Sequence, residues 1–153
     1  MSAFRSVLLT FLLSMVPVLE LRAAIPFGVA NGLSPLAALI TAAAGNLVPV
    51  PFIIIFIRRI FNWLKSKQRV RGLIERLERR AVKKSALVRQ YAGLGLCILV
   101  AIPLPGTGAW TGALVAALMD MRLKRAVPII ALGVAIAGFI MTGLSYGFLH
   151  LVG

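Results

Sequence analysis

Apolar residues fill this chain in six runs, covering roughly 4–19, 27–44, 47–64, 91–104, 105–120 and 126–149. Only the last has the roughly 20 apolar residues of a comfortable bilayer span. The 91–104 and 105–120 runs are too short to cross singly. They read as a re-entrant helical hairpin whose tip is Pro103-Leu104-Pro105-Gly106-Thr107-Gly108. The expected fold is therefore all-α and integral to a membrane.

Polar, helix-breaking residues interrupt the apolar pattern at two places, Glu20 to Gly28 and Pro103 to Gly112. Each contains Ala-Ile-Pro, at 24–26 and 101–103. In lipid a broken helix leaves backbone groups that protein or trapped water must satisfy, at several kcal/mol apiece. Paired breaks in two halves of a chain point to a midplane binding site. The halves match further: Pro49 follows the first tripeptide and Pro128 the second, each expected to open a span in its first turn, where proline is tolerated. This predicts an inverted repeat of hairpin plus transmembrane helix, with 1–64 as one repeat, 91–153 as the other and 65–90 as a linker. Together they form a single membrane domain.

Composition agrees. The 153 residues are 60% hydrophobic and only 14% charged, well above the roughly 45–50% apolar content of soluble domains. Cys97 stands alone among apolar neighbours and reads as a small buried hydrophobe. Arg5, the apolar run to Leu19 and Ala23-Ala24 have the layout of a secretory signal. Glu20 and Arg22, directly before the cut, argue for keeping the segment as structure.

The net charge of +13 is unevenly placed: twelve of the 17 Lys/Arg lie between Arg58 and Arg89. A basic block between apolar spans is what the positive-inside bias produces, and no nucleic-acid-reading motif accompanies it. With Arg122, Lys124 and Arg125 on the same side, both termini are expected outside. Val70, Leu73, Ile74, Leu77 and Ala81 recur at helical spacing, with Glu75 and Arg79 as an i,i+4 pair. That predicts a cytoplasmic amphipathic helix lying on anionic headgroups.

Glu20 and Arg22 are the two ionisable side chains expected deep in the membrane, where a bare charge costs at least about 2.5–3.5 kcal/mol. A carboxylate there can exchange a proton, and a guanidinium can grip an anion with its fork. Glu20 is the candidate proton-coupling residue; Arg22, Pro26, Gly28 and Asn46 are the candidate substrate contacts of the first half. The second tip carries no charge. Pro103, Pro105, Gly106 and Gly108 shape its turn, Thr107 and Thr111 supply hydroxyls, and Trp110 could stack on a ligand. The half-helix that follows has free N–H groups with about +0.5 of an elementary charge, a seat for an anion.

Gly28/Gly32, Gly108/Gly112 and Gly143/Gly147 predict close helix packing. Asp120 is expected to pair with Arg122 at the surface, and His150 to lie at the interface. No metal-ligand cluster, nucleotide loop or nucleophile–base set occurs, so neither an enzyme nor a cofactor is expected.

Three stretches, Glu20-Leu21-Arg22 through Gly28, Gly45-Asn46-Leu47-Val48-Pro49-Val50 and Pro103 through Gly112, resemble the small multidrug export family of prokaryotic membranes. That family is similar in architecture to the DedA/VTT superfamily of re-entrant-loop membrane proteins. The resemblance implies two opposed hairpins, residence in the inner membrane, and transport driven by an ion gradient. It also implies a lipid-like cargo, such as a polyprenyl-phosphate or another amphiphile. DedA members commonly carry basic residues near the second tip, whereas 102–119 here has none. Arg22 and half-helix N-termini would then do more of the work.

Two functions follow as expectations. One is a proton- or cation-coupled transporter or lipid-carrier flippase, working as a homodimer that shields its short hairpins. The other is a non-transporting membrane assembly or lipid-organising protein acting through its basic helix.

Overall fold

A computed structural model describes residues 3–66, 72, 85–104 and 106–152. Among the described residues it is wholly helical, with seven helices. They are α1 Ala3–Met15, α2 Glu20–Ala30, α3 Pro35–Leu47, α4 Pro49–Lys65, α5 Ser85–Ala101, α6 Ala109–Leu118 and α7 Leu123–Val152.

Local chemistry sets the boundaries. Ser34 caps α3, its hydroxyl oxygen accepting from the Ala37 N–H at 3.2 Å, with Pro35 in the first turn. Pro49 opens α4 after a bend at Val48, so α3 and α4 run on as one apolar stretch, Pro35–Leu64, of 30 residues. Leu123–Gly147 of α7 is the second long apolar stretch, at 25 residues. At 1.5 Å per residue these reach about 45 Å and 37 Å, enough to cross a hydrocarbon core of about 30 Å.

Helix α1 is packed inside out. Ser6, Thr10 and Ser14 are fully buried, whereas Phe4, Leu8, Leu9 and Leu12 are exposed. Small residues let backbones approach: a methyl on Gly45 would collide with Ser14 and the Phe11 carbonyl, and one on Gly28 would lie 2.9 Å from Thr10 Oγ1. This is how helices associate where the solvent is as apolar as leucine. Thr10 and Ser14 hydroxyls donate back to the carbonyls of Ser6 and Phe11, each at 2.7 Å, so no buried hydroxyl of the stripe goes without an acceptor. The core proper joins Ile25, Val50, Ile54, Val100, Ile130 and Val134 with many alanines.

Three contacts fix the chain directions. Ser6 Oγ donates to the Asn31 carbonyl at 3.1 Å, setting the start of α1 beside the end of α2. Arg58 Nε lies 3.6 Å from Asp120 Oδ1, setting the middle of α4 beside the end of α6. Gly133 of α7 sits against Val100 and the Cys97 carbonyl of α5. The Ser6–Asn31 contact makes α1 and α2 an antiparallel helical hairpin, and α5 and α6 follow one another across the turn at 102–108.

Several expectations are corrected. Residues 20–28 are not the first interruption: they are helical, with Pro26 inside α2, and the chain breaks instead at 16–19 and 31–34. Ala24-Ile25-Pro26 is therefore interior to α2, while Ala101-Ile102-Pro103 closes α5, so the two tripeptides are not structurally equivalent. Pro128 also sits inside its helix, the sixth residue of α7, rather than in its first turn. Among the glycine pairs, Gly28 and Gly112 pack closely, but Gly32 occupies a left-handed turn (φ +86°) and Gly143 and Gly147 face open space. Asp120 pairs with Arg58, not Arg122. The amphipathic pattern over Val70, Leu73, Ile74, Leu77 and Ala81, with Glu75 and Arg79, lies outside the described residues, as does Pro105.

Candidate functional site

The two interruptions meet. Their contacts are made by the residues that follow each break, which turns the chain so sharply that left-handed backbone is needed: Val18 (φ 76°) and Glu20 (φ 44°) in the first, Gly106 (φ 85°) and Gly108 (φ 117°) in the second. A β-branched residue such as Val18 seldom adopts that conformation, so the first turn is under strain.

Arg22, in the first turn of α2, reaches across to the second tip. One terminal nitrogen donates to the Thr107 carbonyl at 2.9 Å and to Thr107 Oγ1 at 2.7 Å. The same hydroxyl lies 2.6 Å from the Ile102 carbonyl and 2.7 Å from the Leu104 carbonyl, and it accepts from the Leu104 N–H at 3.2 Å. Thr107 therefore holds its own loop closed and presents that loop to Arg22. Thr111 adds a second tie, its hydroxyl donating to the Gly106 carbonyl at 3.0 Å.

Glu20 makes the reciprocal contact. Its carboxylate accepts from the Trp110 backbone N–H at 3.1 Å and also faces the Ala109 N–H. These are first-turn amides of α6, which Gly108 cannot cap because it has no side chain. Glu20 thus caps α6 from another part of the chain, and its charge suits the positive end of the helix dipole. Gly108 permits this approach, since a Cβ there would overlap the Glu20 carboxylate. Arg22 adds a nearby positive charge, yet Glu20 and Arg22 each bind the opposite tip rather than each other. Trp110 completes the latch by donating its indole N–H to the Met15 carbonyl at 3.1 Å, at the end of α1.

Behind these contacts lies a cavity of about 10 Å³, lined by Glu20, Arg22, Asn46, Pro103 and Gly108 and closed by Val134 and Ala137 midway along α7. Glu20 is 4% exposed and Asn46 not at all. Neither the nitrogen nor the oxygen of the Asn46 amide has a hydrogen-bond partner. A second, open groove, lined by Pro49, Phe52, Phe56 and Arg59, ends at Trp110.

Of the expected contacts, Glu20, Arg22, Asn46, Pro103 and Gly108 share the cavity, and Thr107, Trp110, Gly106 and Thr111 build the loop that faces it. Pro26 and Gly28 do not line it. Gly28 instead packs against Thr10 and Ala38. At the α6 N-terminus, the expected anion seat, the protein's own Glu20 carboxylate takes the free amides. Sequence reading missed the Met15 carbonyl and the α7 wall. Backbone groups and plain aliphatic residues carry no signature in sequence.

Residues 20–140 match the family model described as "Putative small multi-drug export protein". No curated protein and no solved structure matches the chain.

Proposed function

Since this chain belongs to the small multi-drug export family, we propose that it is an ion-gradient-coupled membrane exporter or lipid-carrier flippase. Its site lies where the two hairpin tips meet. One observation carries the reading: Glu20, buried, and Arg22, part-buried, are each held by the tip of the other hairpin.

In this reading α1–α2 and α5–α6 are re-entrant hairpins dipping from opposite faces, each followed by a span, in an inverted repeat. Support comes from length and contact. The 13 residues of α1 and 10 of α6 rise only about 20 Å and 15 Å, and Pro103 and Gly108 of the second tip line one cavity with Val134 and Ala137, near the middle of α7. Arg122, Lys124 and Arg125 line one surface with Asp120, which pairs with Arg58, and the positive-inside bias makes that side cytoplasmic. Both termini then lie outside an inner membrane. The likeness to the DedA/VTT superfamily belongs to the same proposal.

The chemistry follows from competition. An anionic cargo group and the Glu20 carboxylate seek the same donors, the α6 amides and Arg22. A proton on Glu20 weakens its hold on those amides, because a neutral group gains less from the helix dipole and from charge-assisted bonds. The seat is then free for a phosphate or carboxylate, and cargo entry becomes linked to proton or cation movement. The apolar groove from Phe52 and Phe56 to Trp110 suits the hydrocarbon part of an amphiphile such as a polyprenyl-phosphate. The many exposed large apolar side chains suit lipid or a second copy in a homodimer.

The test is reconstitution in liposomes with an imposed pH gradient and a fluorescent polyprenyl-phosphate or amphiphilic dye as cargo. Glu20→Gln should uncouple cargo movement from the gradient, and Arg22→Ala should abolish it. Wild-type flux in both variants would overturn the assignment. The alternative, a lipid-organising protein acting through its basic segment, is separated by neutralising the charges of 65–89. Transport that survives, with the cellular role lost, would favour it.

A further inference from the structure

Asn46 presents an unusual problem. It lies on α3, wholly buried, with donor and acceptor both unpartnered, and its side chain borders the cavity that Glu20 also borders. Leaving such an amide without partners forfeits its hydration with nothing in return, and buried polar groups are almost always satisfied by protein or by ordered water. The cavity, at about 10 Å³, matches the roughly 10–15 Å³ that one water needs.

We propose that Asn46 holds one water molecule against the Glu20 carboxyl group and is thereby the positioning residue for the exchangeable proton. This deepens the transport reading, because it concerns the same carboxyl group. An amide is suited to the task since it both donates and accepts. With Glu20 ionised, the water donates to the carboxylate and accepts from Asn46 Nδ2. When one proton is added to the carboxylate, its new O–H donates to the water, which turns and donates to Asn46 Oδ1. No bond other than the carboxyl O–H forms, and the proton comes from the aqueous phase. Either state leaves the water partnered on both sides.

The surroundings isolate this pair. Arg22 is the other charged residue lining the cavity, and the walls from α5, α6 and α7 are Val100, Ala109, Val134, Ala137 and Met141, none of which titrates. No α1 residue lines the cavity, and the Ser14 hydroxyl of that helix, beside Gly45, already donates to the Phe11 carbonyl.

Infrared difference spectroscopy between low and high pH, on the full chain in lipid nanodiscs, tests the proposal without a known cargo. The sequence has only four acidic residues, so the Glu20 carboxyl band is assigned by its loss in Glu20→Gln and its persistence in Asp120→Asn. Exchange into H₂¹⁸O should displace a water O–H band in the wild type, and that band should be missing from Glu20→Gln and Asn46→Leu. In Asn46→Leu the carboxyl C=O band should also move to higher frequency, as a lost hydrogen bond requires, and Asn46→Ser should restore it. The proposal is overturned if no ¹⁸O-sensitive band appears in the wild type, a measurement that does not depend on any variant folding. It is equally overturned if sodium or lithium displaces the signal, which would make the occupant a cation. An intact water band in a protein that moves no cargo would sink the transport reading alone.

Discussion

The Glu20 carboxylate accepts a hydrogen bond from the backbone N–H of Trp110 at 3.1 Å, across 90 residues of sequence. A side chain from the first hairpin therefore caps a helix of the second. This bond and its counterpart from Arg22 to Thr107 tie the two halves of the molecule together.

Glu20→Gln separates the cap from the charge. The amide oxygen can still accept from Trp110, so the fold should survive with a loss of about 1 kcal/mol, the usual difference between a charged and a neutral acceptor. Proton uptake should vanish. A pH-sensitive dye trapped in proteoliposomes reads the uptake, and thermal unfolding in detergent reads the stability. Unchanged proton flux would remove Glu20 from the coupling step.

Gly108→Ala and Gly106→Ala make a matched pair. Both positions have left-handed φ, but a methyl at Gly106 meets nothing within 4 Å, whereas one at Gly108 strikes the Glu20 carboxylate. Gly106→Ala should cost about 1–2 kcal/mol, for backbone strain alone. Gly108→Ala should cost more and also silence transport by expelling Glu20 from its seat. Equal effects on stability and transport would mean that the contact has no functional weight.

A double-mutant cycle between Arg22→Ala and Thr107→Val isolates the bond to the hydroxyl. One guanidinium nitrogen serves both the carbonyl and the hydroxyl of Thr107, and valine removes the second acceptor alone. Coupling of about 1.5–3 kcal/mol is expected for a charge-assisted bond. Additive losses, measured by chemical denaturation, would show that the two residues merely coexist.

Gly45→Ala tests the packing of α1 on α3. Any Cβ must displace the Ser14 hydroxyl and the Phe11 carbonyl, so the helices must part, at about 1–3 kcal/mol. A fall in the unfolding midpoint with the Glu20 infrared band intact is the expected outcome. Stability equal to wild type would contradict the close approach.

Sidedness is accessible to cysteine labelling in a Cys97→Ala background. A membrane-impermeant maleimide should reach Ser34→Cys from outside and Asp120→Cys from the cytoplasmic face. Val18→Cys, at the first tip, should react slowly from either side despite its 83% exposure in the isolated chain. Rapid labelling of position 18 from the face opposite Ser34 would mean that α1 crosses fully.

Much of this molecule was legible residue by residue. Long apolar runs dictate helices, because a helix satisfies its own backbone without water, and Glu20, Arg22, Asn46 and the Pro103–Gly112 turn stand out against them as polar or helix-breaking exceptions. Folding alone decided who meets whom. Glu20 finds the α6 amides, Arg22 finds Thr107, and Asn46 turns into a space shared with both; no spacing along the chain encodes contacts across 85 or 90 residues. The first break was misplaced for a related reason. Proline marks a helix end in sequence, yet Pro26 lies in a helix whose Leu21, Ala24 and Ile25 are buried against its neighbours, and that packing outweighs the one hydrogen bond the proline forfeits. Where lipid-like side chains are everywhere, hydrophobicity cannot tell an inward face from an outward one. Smallness does so instead, and only assembled helices reveal that Ser6, Thr10 and Ser14 are the inner edge of α1.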